Sequence, residues 1–225
     1  MAGDTRTEED EQADAPPDVD PGDQPPDWVD PAPDRPVPFR ESIELDFLVH
    51  FPPELRGGST AVRIWRRSLV AVRSSGFHVT FLHRVAHQCH HRLGFPGKAL
   101  AAVIFWTLRH AYGCSIASTA RLHGGIVLPH PQNIVIGAGA VVGPCAYIFQ
   151  NVTIGGVPGR VGMPRIGRDA RIYAGAVVVG PIAVGDNVMI GANAVVVGDV
   201  ASRQLVRCPA AEVTPLPERY ISRRK

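Results

Sequence analysis

The stretch IGRDARIYAGAVVVGPIAVGDNVMIGANAVV, residues 166–196, decides the fold. An aliphatic residue returns at every sixth position through it, and the same frame extends back to residue 136. The residues in this frame are Ile136, Val142, Ile148, Ile154, Ile166, Ile172, Val178, Val184, Ile190 and Val196. An earlier frame, displaced by two residues, contains Ile116, Leu122, Leu128 and Ile134. A repeat of this regularity predicts a solenoid.

The repeat favours a β-helix over an α-helix, because a period of six residues matches neither the 3.6 of a helix nor the 3.5 of a coiled coil. Glycine often follows the aliphatic residue, as at Gly167 and Gly191, and small residues such as Ala170 and Ala194 suit tight corners. We therefore expect an α+β fold, in which a small helical domain precedes a left-handed parallel β-helix of hexapeptide repeats. Solenoids with this repeat are an exception to the usual right-handed crossover.

Composition divides the chain into four segments. Residues 1–38 are an acidic, proline-rich leader, which we expect to be disordered because it has few large apolar side chains. Residues 39–112 show helical spacing of apolar positions and form the N-terminal domain, with a break at Phe95-Pro96-Gly97. The β-helix occupies residues 113–200, and residues 201–225 form a C-terminal tail.

The repeat is interrupted once, between Ile154 and Ile166. Position 160, where the frame requires an aliphatic residue, is an arginine, and the surrounding residues 155–164 are rich in glycine and proline. We expect a loop that projects from the prism here. Loops held by a rigid scaffold often carry binding groups.

Charge and hydropathy limit the functional classes. Residues 1–35 carry a net charge of −10, whereas residues 36–225 carry +12, so the body suits an anionic ligand; coenzyme A phosphates and nucleic acid both fit. No apolar run is long enough to span a membrane, and the acidic N-terminus is neither a signal peptide nor a transit peptide. We expect a cytoplasmic protein with no membrane partner.

Three stretches resemble the serine O-acetyltransferases, a branch of the hexapeptide acyltransferase superfamily. They are GCSIASTARLHGGIVLPH (residues 113–130), IVIG (residues 134–137) and QNVTIGG (residues 150–156). The resemblance covers residues 60–208. It implies transfer of an acetyl group from acetyl-CoA, the co-substrate, to the hydroxyl of a small acceptor, with no metal. It also implies a homotrimer, or a dimer of trimers, with the sites between subunits.

The resemblance assigns roles to individual positions. His130 falls on the histidine that acts as general base, a role that suits imidazole because its pKa lies near neutral pH. Gln150 lines the acceptor site. The residues at coenzyme-contacting turns are Gly155, Gly156, Ala174 and Ala192, and the amides of the two glycines are candidates for positioning the thioester.

The chain also departs from the family pattern around His130. Ser115 replaces the aspartate that usually orients the histidine, and Pro129 replaces an aspartate that holds the serine substrate. Gly162 and Met163 replace an Arg-His pair that binds the substrate carboxylate. Ser115 retains a hydroxyl that can bond His130, but a neutral partner stabilises imidazolium less than a carboxylate does. These changes favour an acceptor other than serine.

Several alternatives stay open on the sequence alone. The acceptor is either serine or a sugar or specialised metabolite, acetylated on oxygen or nitrogen. A non-catalytic β-helix scaffold is the second alternative, and His123 is a rival for the general base. Arg160 and Arg165 are either solvated or in contact with coenzyme phosphates. We expect no nucleic acid partner.

A histidine-rich segment, His87-Gln-Cys-His-His91, precedes the repeat. Adjacent histidines point to different sides of a helix, and the pair at positions 87 and 91 supplies only two ligands, so the segment does not predict a metal site. We interpret it as an exposed polar helix face.

Overall fold

The computed structural model describes residues 37–50 and 57–215. The leader as far as residue 36 and the last ten residues of the tail lie outside the described residues, so our expectation for the leader is not addressed. Among the described residues, no helix is long and apolar enough to span a membrane.

Four helices precede the repeat. They are α1 (Phe39–Leu48), α2 (Thr60–Arg73), α3 (Ser75–Arg92) and α4 (Gly94–Ala111). The break expected at Phe95-Pro96-Gly97 is wrong, because α4 already begins at Gly94 and only Leu93 separates it from α3. Proline is tolerated there, since the first turn of a helix has no intrahelical partner for its amide groups.

The repeat forms a left-handed parallel β-helix with three faces, as predicted. The first face holds β1 (Ser115–Ile116), β3 (Val135–Ile136), β6 (Thr153–Gly155), β9 (Val177–Val179) and β12 (Val195–Val196). The second face holds β2 (Arg121–Leu122), β4 (Val141–Val142), β7 (Arg165–Ile166) and β10 (Ala183–Val184). The third face holds β5 (Tyr147–Ile148), β8 (Arg171–Ile172), β11 (Met189–Ile190) and β13 (Leu205–Val206).

Aliphatic residues of the repeat stack inside the prism. The register pairs Ile116 with Ile136, Ile136 with Ile154, and Ile154 with Val178, so each inward side chain lies on its counterpart in the next coil. All of them are almost completely buried. The last strand lies beyond Val200, where we expect the repeat to end, because Val206 pairs with Ile190 and prolongs the third face.

Three edges join the faces. The first edge leads from the first face to the second, the second edge from the second to the third, and the third edge from the third back to the first. Left-handed backbone is concentrated at these turns, as at Asn133, Asn151 and Asn193 on the third edge. Asparagine tolerates this conformation better than most residues, which explains its recurrence there.

The helices close the open end of the first coil. Strand β2 has no earlier coil beside it, so its carbonyl groups need other donors. Arg84 on α3 donates from Nη1 to Leu122 O at 2.8 Å and from Nη2 to His123 O at 2.8 Å. On the first edge, His83 Nε2 donates to Ala117 O at 3.1 Å. The helical layer therefore acts as a cap that satisfies the backbone of the first coil.

Candidate active site

His130 lies on a bulge of the third edge in the first coil. The bulge explains the two-residue displacement between the two frames of the repeat, since Ile134 and Ile136 are both buried on either side of Val135. Gln132 N donates to His130 O at 2.8 Å, and Asn133 adopts left-handed backbone with φ of 52°. His130 is exposed to solvent. A rigid turn therefore presents an accessible imidazole, as a general base requires.

A buried thiol lies beneath this bulge. Cys114 is 0% exposed, and its Sγ donates to Pro131 O at 3.3 Å. Burial raises the pKa of the Cys114 thiol, so the group stays neutral and remains a donor at neutral pH. The carbonyl that follows His130 is thus fixed from the inside of the prism.

Gln150, Ala174 and Ala192 lie in one column above the bulge on the third edge. Asn151 N donates to Gln132 O, Gly175 N to Gln150 O, and Asn193 N to Ala174 O, each at 3.0 or 3.1 Å. The column therefore brings three of the predicted site residues to the edge that carries His130. The two alanines leave room beside the backbone, as an extended ligand would need.

Gln150 carries an unusual atom. Its Oε1 is buried and has no hydrogen-bond partner among the described residues. An unbonded buried acceptor is costly and marks a place where a donor is missing. A ligand hydroxyl or amide would satisfy it.

The other predicted contacts lie on the first edge. Gly155 ends strand β6 and Gly156 follows it, at the start of the projecting loop. A side chain at Gly155 would meet nothing within 4 Å, so open space lies beside this backbone. Met163 returns from the loop and covers Gly137 and Gly156: its Cε lies 2.4 Å from a Cβ built on Gly137, and its Sδ 3.1 Å from one built on Gly156.

Within one chain the predicted residues thus fall on two edges. His130, Gln150, Ala174 and Ala192 share the third edge, whereas Gly155, Gly156 and Met163 share the first. Ser115 lies at the start of the first face, where it pairs with Val135, and the described residues show no hydrogen bond between Ser115 and His130. The first face lies between these two edges.

The rival histidine and the two arginines are placed apart from the bulge. His123 lies on the second edge, and its carbonyl accepts from Arg84 of the cap. Arg160 is exposed on the projecting loop, and Arg165 is exposed on β7 of the second face. His130 is therefore the histidine of the third edge.

We expected the histidine-rich segment to form an exposed helix face, and this expectation is wrong. His87 is buried; its Nδ1 donates to Ser118 O at 2.8 Å and its Nε2 accepts from Val37 N at 3.4 Å. Burial lowers the pKa of His87 to about 4, so it is neutral and fits both roles. His91 is exposed, and the described residues contain no group of three or more side chains placed for a metal. The sequence lacked a signal for this role, because the carbonyl partners are distant in the chain.

Part of the β-helix matches a known family of transferases. Residues 163–198 match the family model described as bacterial transferase hexapeptide (six repeats). A putative serine acetyltransferase of Schizosaccharomyces pombe is 37% identical over 150 residues, which cover 64% of this chain and 54% of that protein. The chain thus spans about half the length of this curated relative.

Solved structures extend the similarity to the fold. The Neisseria gonorrhoeae serine acetyltransferase in complex with serine is 32% identical with a TM-score of 0.62, covering 77% of this chain and 68% of that one. The soybean serine acetyltransferase apoenzyme is 30% identical with a TM-score of 0.63, covering 78% and 69%.

Proposed function

This chain belongs to the serine acetyltransferase family, and we propose that it transfers an acetyl group from acetyl-CoA to a hydroxyl of a small acceptor. The observation that supports this most is the exposed His130 on a bulge of the same edge that carries Gln150, Ala174 and Ala192. A neutral alcohol is a weak nucleophile, and a positioned base is what its attack on a thioester requires.

The proposed reaction is a direct transfer. The imidazole of His130 takes the proton from the acceptor hydroxyl as its oxygen attacks the acetyl carbonyl carbon. A C–O bond forms, the C–S bond breaks, and the proton passes from His130 to the departing sulfur, so the products are an acetyl ester and free coenzyme A. The unbonded Oε1 of Gln150 offers an acceptor for a second polar group of the substrate.

Acetyl-CoA suits the small residues on both edges. A side chain at Gly155 would meet nothing within 4 Å on the first edge, and Ala174 and Ala192 present only methyl groups on the third. Backbone groups beside such residues can contact a pantetheine chain closely. The exposed Arg160 on the loop is a candidate for its phosphates.

We propose a homotrimer as the working form. The outward positions of the first face are uncharged and mostly valine: Ser115, Val135, Thr153, Val177 and Val195. Val135 is 40% exposed and Val195 is 64% exposed in the single chain, which favours burial against another copy. Because this face separates the two edges, such a contact brings the third edge of one copy to the first edge of its neighbour.

Release of free thiol from acetyl-CoA tests the function. L-Serine, present in the Neisseria structure, is the first acceptor, followed by neutral hydroxyl compounds. We expect His130→Ala to lower kcat by about 100-fold or more, with coenzyme A still bound in calorimetry. His123→Ala tests the rival base and His110→Ala, exposed on α4, is the control; both should keep activity. Absence of both thiol release and coenzyme binding would instead support a scaffold.

A further inference from the structure

A cleft of about 350 Å³ opens beside the His130 bulge. Pro131, Gln132 and Asn133 form one wall, and Tyr112 and Gly113, which follow α4, form another. All of the side chains that line it are uncharged. The amide side chains and the tyrosine offer hydrogen bonds, but no partner for an ion.

Tyr112 is also a wall of a second cavity, an apolar groove of about 420 Å³ between α1, α2 and α3. Its other walls are largely aromatic and aliphatic: Ile43, Phe47, Phe77, Phe81 and Leu82. Its polar end is a pair, in which Tyr112 Oη lies 3.3 Å from His78 Nδ1. His78 Nε2 donates to Ala71 O at 2.6 Å, which leaves Nδ1 to accept from the tyrosine hydroxyl.

The two cavities together have the character of one ligand site. Small-molecule sites are mostly apolar, with a few polar groups that fix orientation, and their volumes run from about 300 to 1,000 Å³. Here the three residues that follow His130 in the chain line the polar cleft, and Tyr112 is shared between that cleft and the apolar groove. A hydroxyl compound with an apolar portion matches that order.

Free serine matches it poorly. Its ammonium and carboxylate groups would find no charged side chain in this cleft, and a site without such partners does not select for a charged acceptor. Arg160 and Arg165, the cationic candidates of the proposed site, belong to the loop and the second face and line neither cavity.

We infer that the acceptor is an uncharged hydroxyl compound, whose apolar part occupies the groove behind Tyr112 while its hydroxyl lies in the cleft beside His130. This inference rests on the proposed acetyl transfer. It names the class of acceptor, which the proposed function leaves open.

Binding tests the inference without catalysis. The probe is 2-phenylethanol, followed by ligand-observed NMR on the full chain. Ala71→Phe fills the groove from α2, and Ala61→Phe, exposed on the same helix outside the groove, is the matched control. We expect Ala71→Phe to weaken probe binding by about tenfold or more. The probe affinity of Ala61→Phe and the acetyl-CoA affinity of both variants should equal those of the wild type. Equal affinity in all three proteins overturns the inference.

Steady-state turnover provides a second test of the inferred acceptor. With acetyl-CoA, we expect kcat/KM to fall from 2-phenylethanol to glycerol and then to L-serine, with Ala71→Phe removing most of the advantage of the first over the second. A preference for L-serine, or no difference between the two alcohols, overturns the inference but leaves acetyl transfer standing. Loss of coenzyme binding and thiol release with every acceptor would instead defeat the proposed function.

Two other occupants of the groove are distinguished by the same variants. If the groove holds a long acyl chain, octanoyl-CoA will exceed acetyl-CoA as donor and Ala71→Phe will abolish that preference. If it holds a second copy of the chain, Ala71→Phe will change the mass measured by light scattering and leave probe affinity unaltered. Either result overturns the assignment of the groove to the acceptor.

Discussion

Arg84 and Asp46 form a buried, two-pronged ion pair: Nε and Nη2 of the arginine lie 2.6 and 2.8 Å from Oδ2 and Oδ1 of the carboxylate. Asp46 Oδ1 also accepts from Gly125 N at 2.8 Å, and Arg84 donates to two carbonyl groups of the first coil. The pair therefore joins α1, α3 and the β-helix at one point.

Removing one partner of this pair should be costly. We expect Arg84→Met to lower the free energy of unfolding by about 3–5 kcal/mol, because Asp46 would be left as a buried, unpaired charge. Arg67→Met is the control, since it breaks the exposed pair with Glu44 and should cost no more than about 1 kcal/mol. Urea denaturation measures both, and similar losses in the two variants would contradict the role of the cap.

Two buried histidines predict a dependence of stability on pH. Burial, with the nearby charge of His87, lowers the pKa of His83 to about 3, and burial lowers that of His87 to about 4. In the unfolded chain both take up protons near pH 6.5, so the unfolded state binds more protons below that pH. The free energy of unfolding therefore keeps its full value above pH 6.5. It falls as the pH drops towards 4, by up to about 1.4 kcal/mol per pH unit for each histidine.

Thermal melting at pH 7, 6 and 5 measures this effect. His87→Gln keeps an amide donor for Ser118 O but does not titrate, so its melting temperature should fall less steeply between pH 7 and 5 than that of the wild type. Identical slopes for the two proteins would show that His87 does not contribute.

A charge on the first face should prevent self-association. Val195→Lys places a cation on the uncharged outward column, and we expect the mass in light scattering to fall from that of a trimer to that of a monomer, with activity lost at the same time. Leu205→Lys is a matched control, since Leu205 is also exposed on a strand, but on the third face. The proposed assembly is wrong if Leu205→Lys dissociates the protein and Val195→Lys does not.

The glycines that stack on the second edge should not tolerate a side chain. A Cβ on Gly167 would lie 2.3 Å from Gly185 O, so Gly167→Ala must push two coils apart. We expect a loss of about 1–3 kcal/mol in the free energy of unfolding, the size found when a core is overpacked. Gly198→Ala, with nothing within 4 Å, should change stability by less than about 0.5 kcal/mol in the same denaturation experiment.

The sequence predicted the prism because its signal is local and repeated. Ile148, Ile172 and Ile190 each occupy the frame, and each is 0% exposed. The cap could not be predicted in this way. His87 and Ser118, or Arg84 and Leu122, are joined only after the helices fold back on the first coil, and no periodicity links them.

The candidate site was predictable in part. The motif context singles out His130, whose bulge lies on the same edge as Gln150 and Ala174, and its role as general base stays a prediction. The uncharged cleft and the groove behind Tyr112 were not predictable, because their walls come from α1, α2, α3 and the bulge, which are far apart in the chain.

The cap also gives the molecule a direction of assembly. The residues of the cap precede the repeat, so a ribosome releases them before the first coil. The helices that donate to the carbonyl groups of that coil are therefore available when it forms. The strands of the later coils pair with strands of the neighbouring coils instead. Coils near Val196 are therefore the natural place for this architecture to lengthen or shorten, whereas the first coil is bound to its helices.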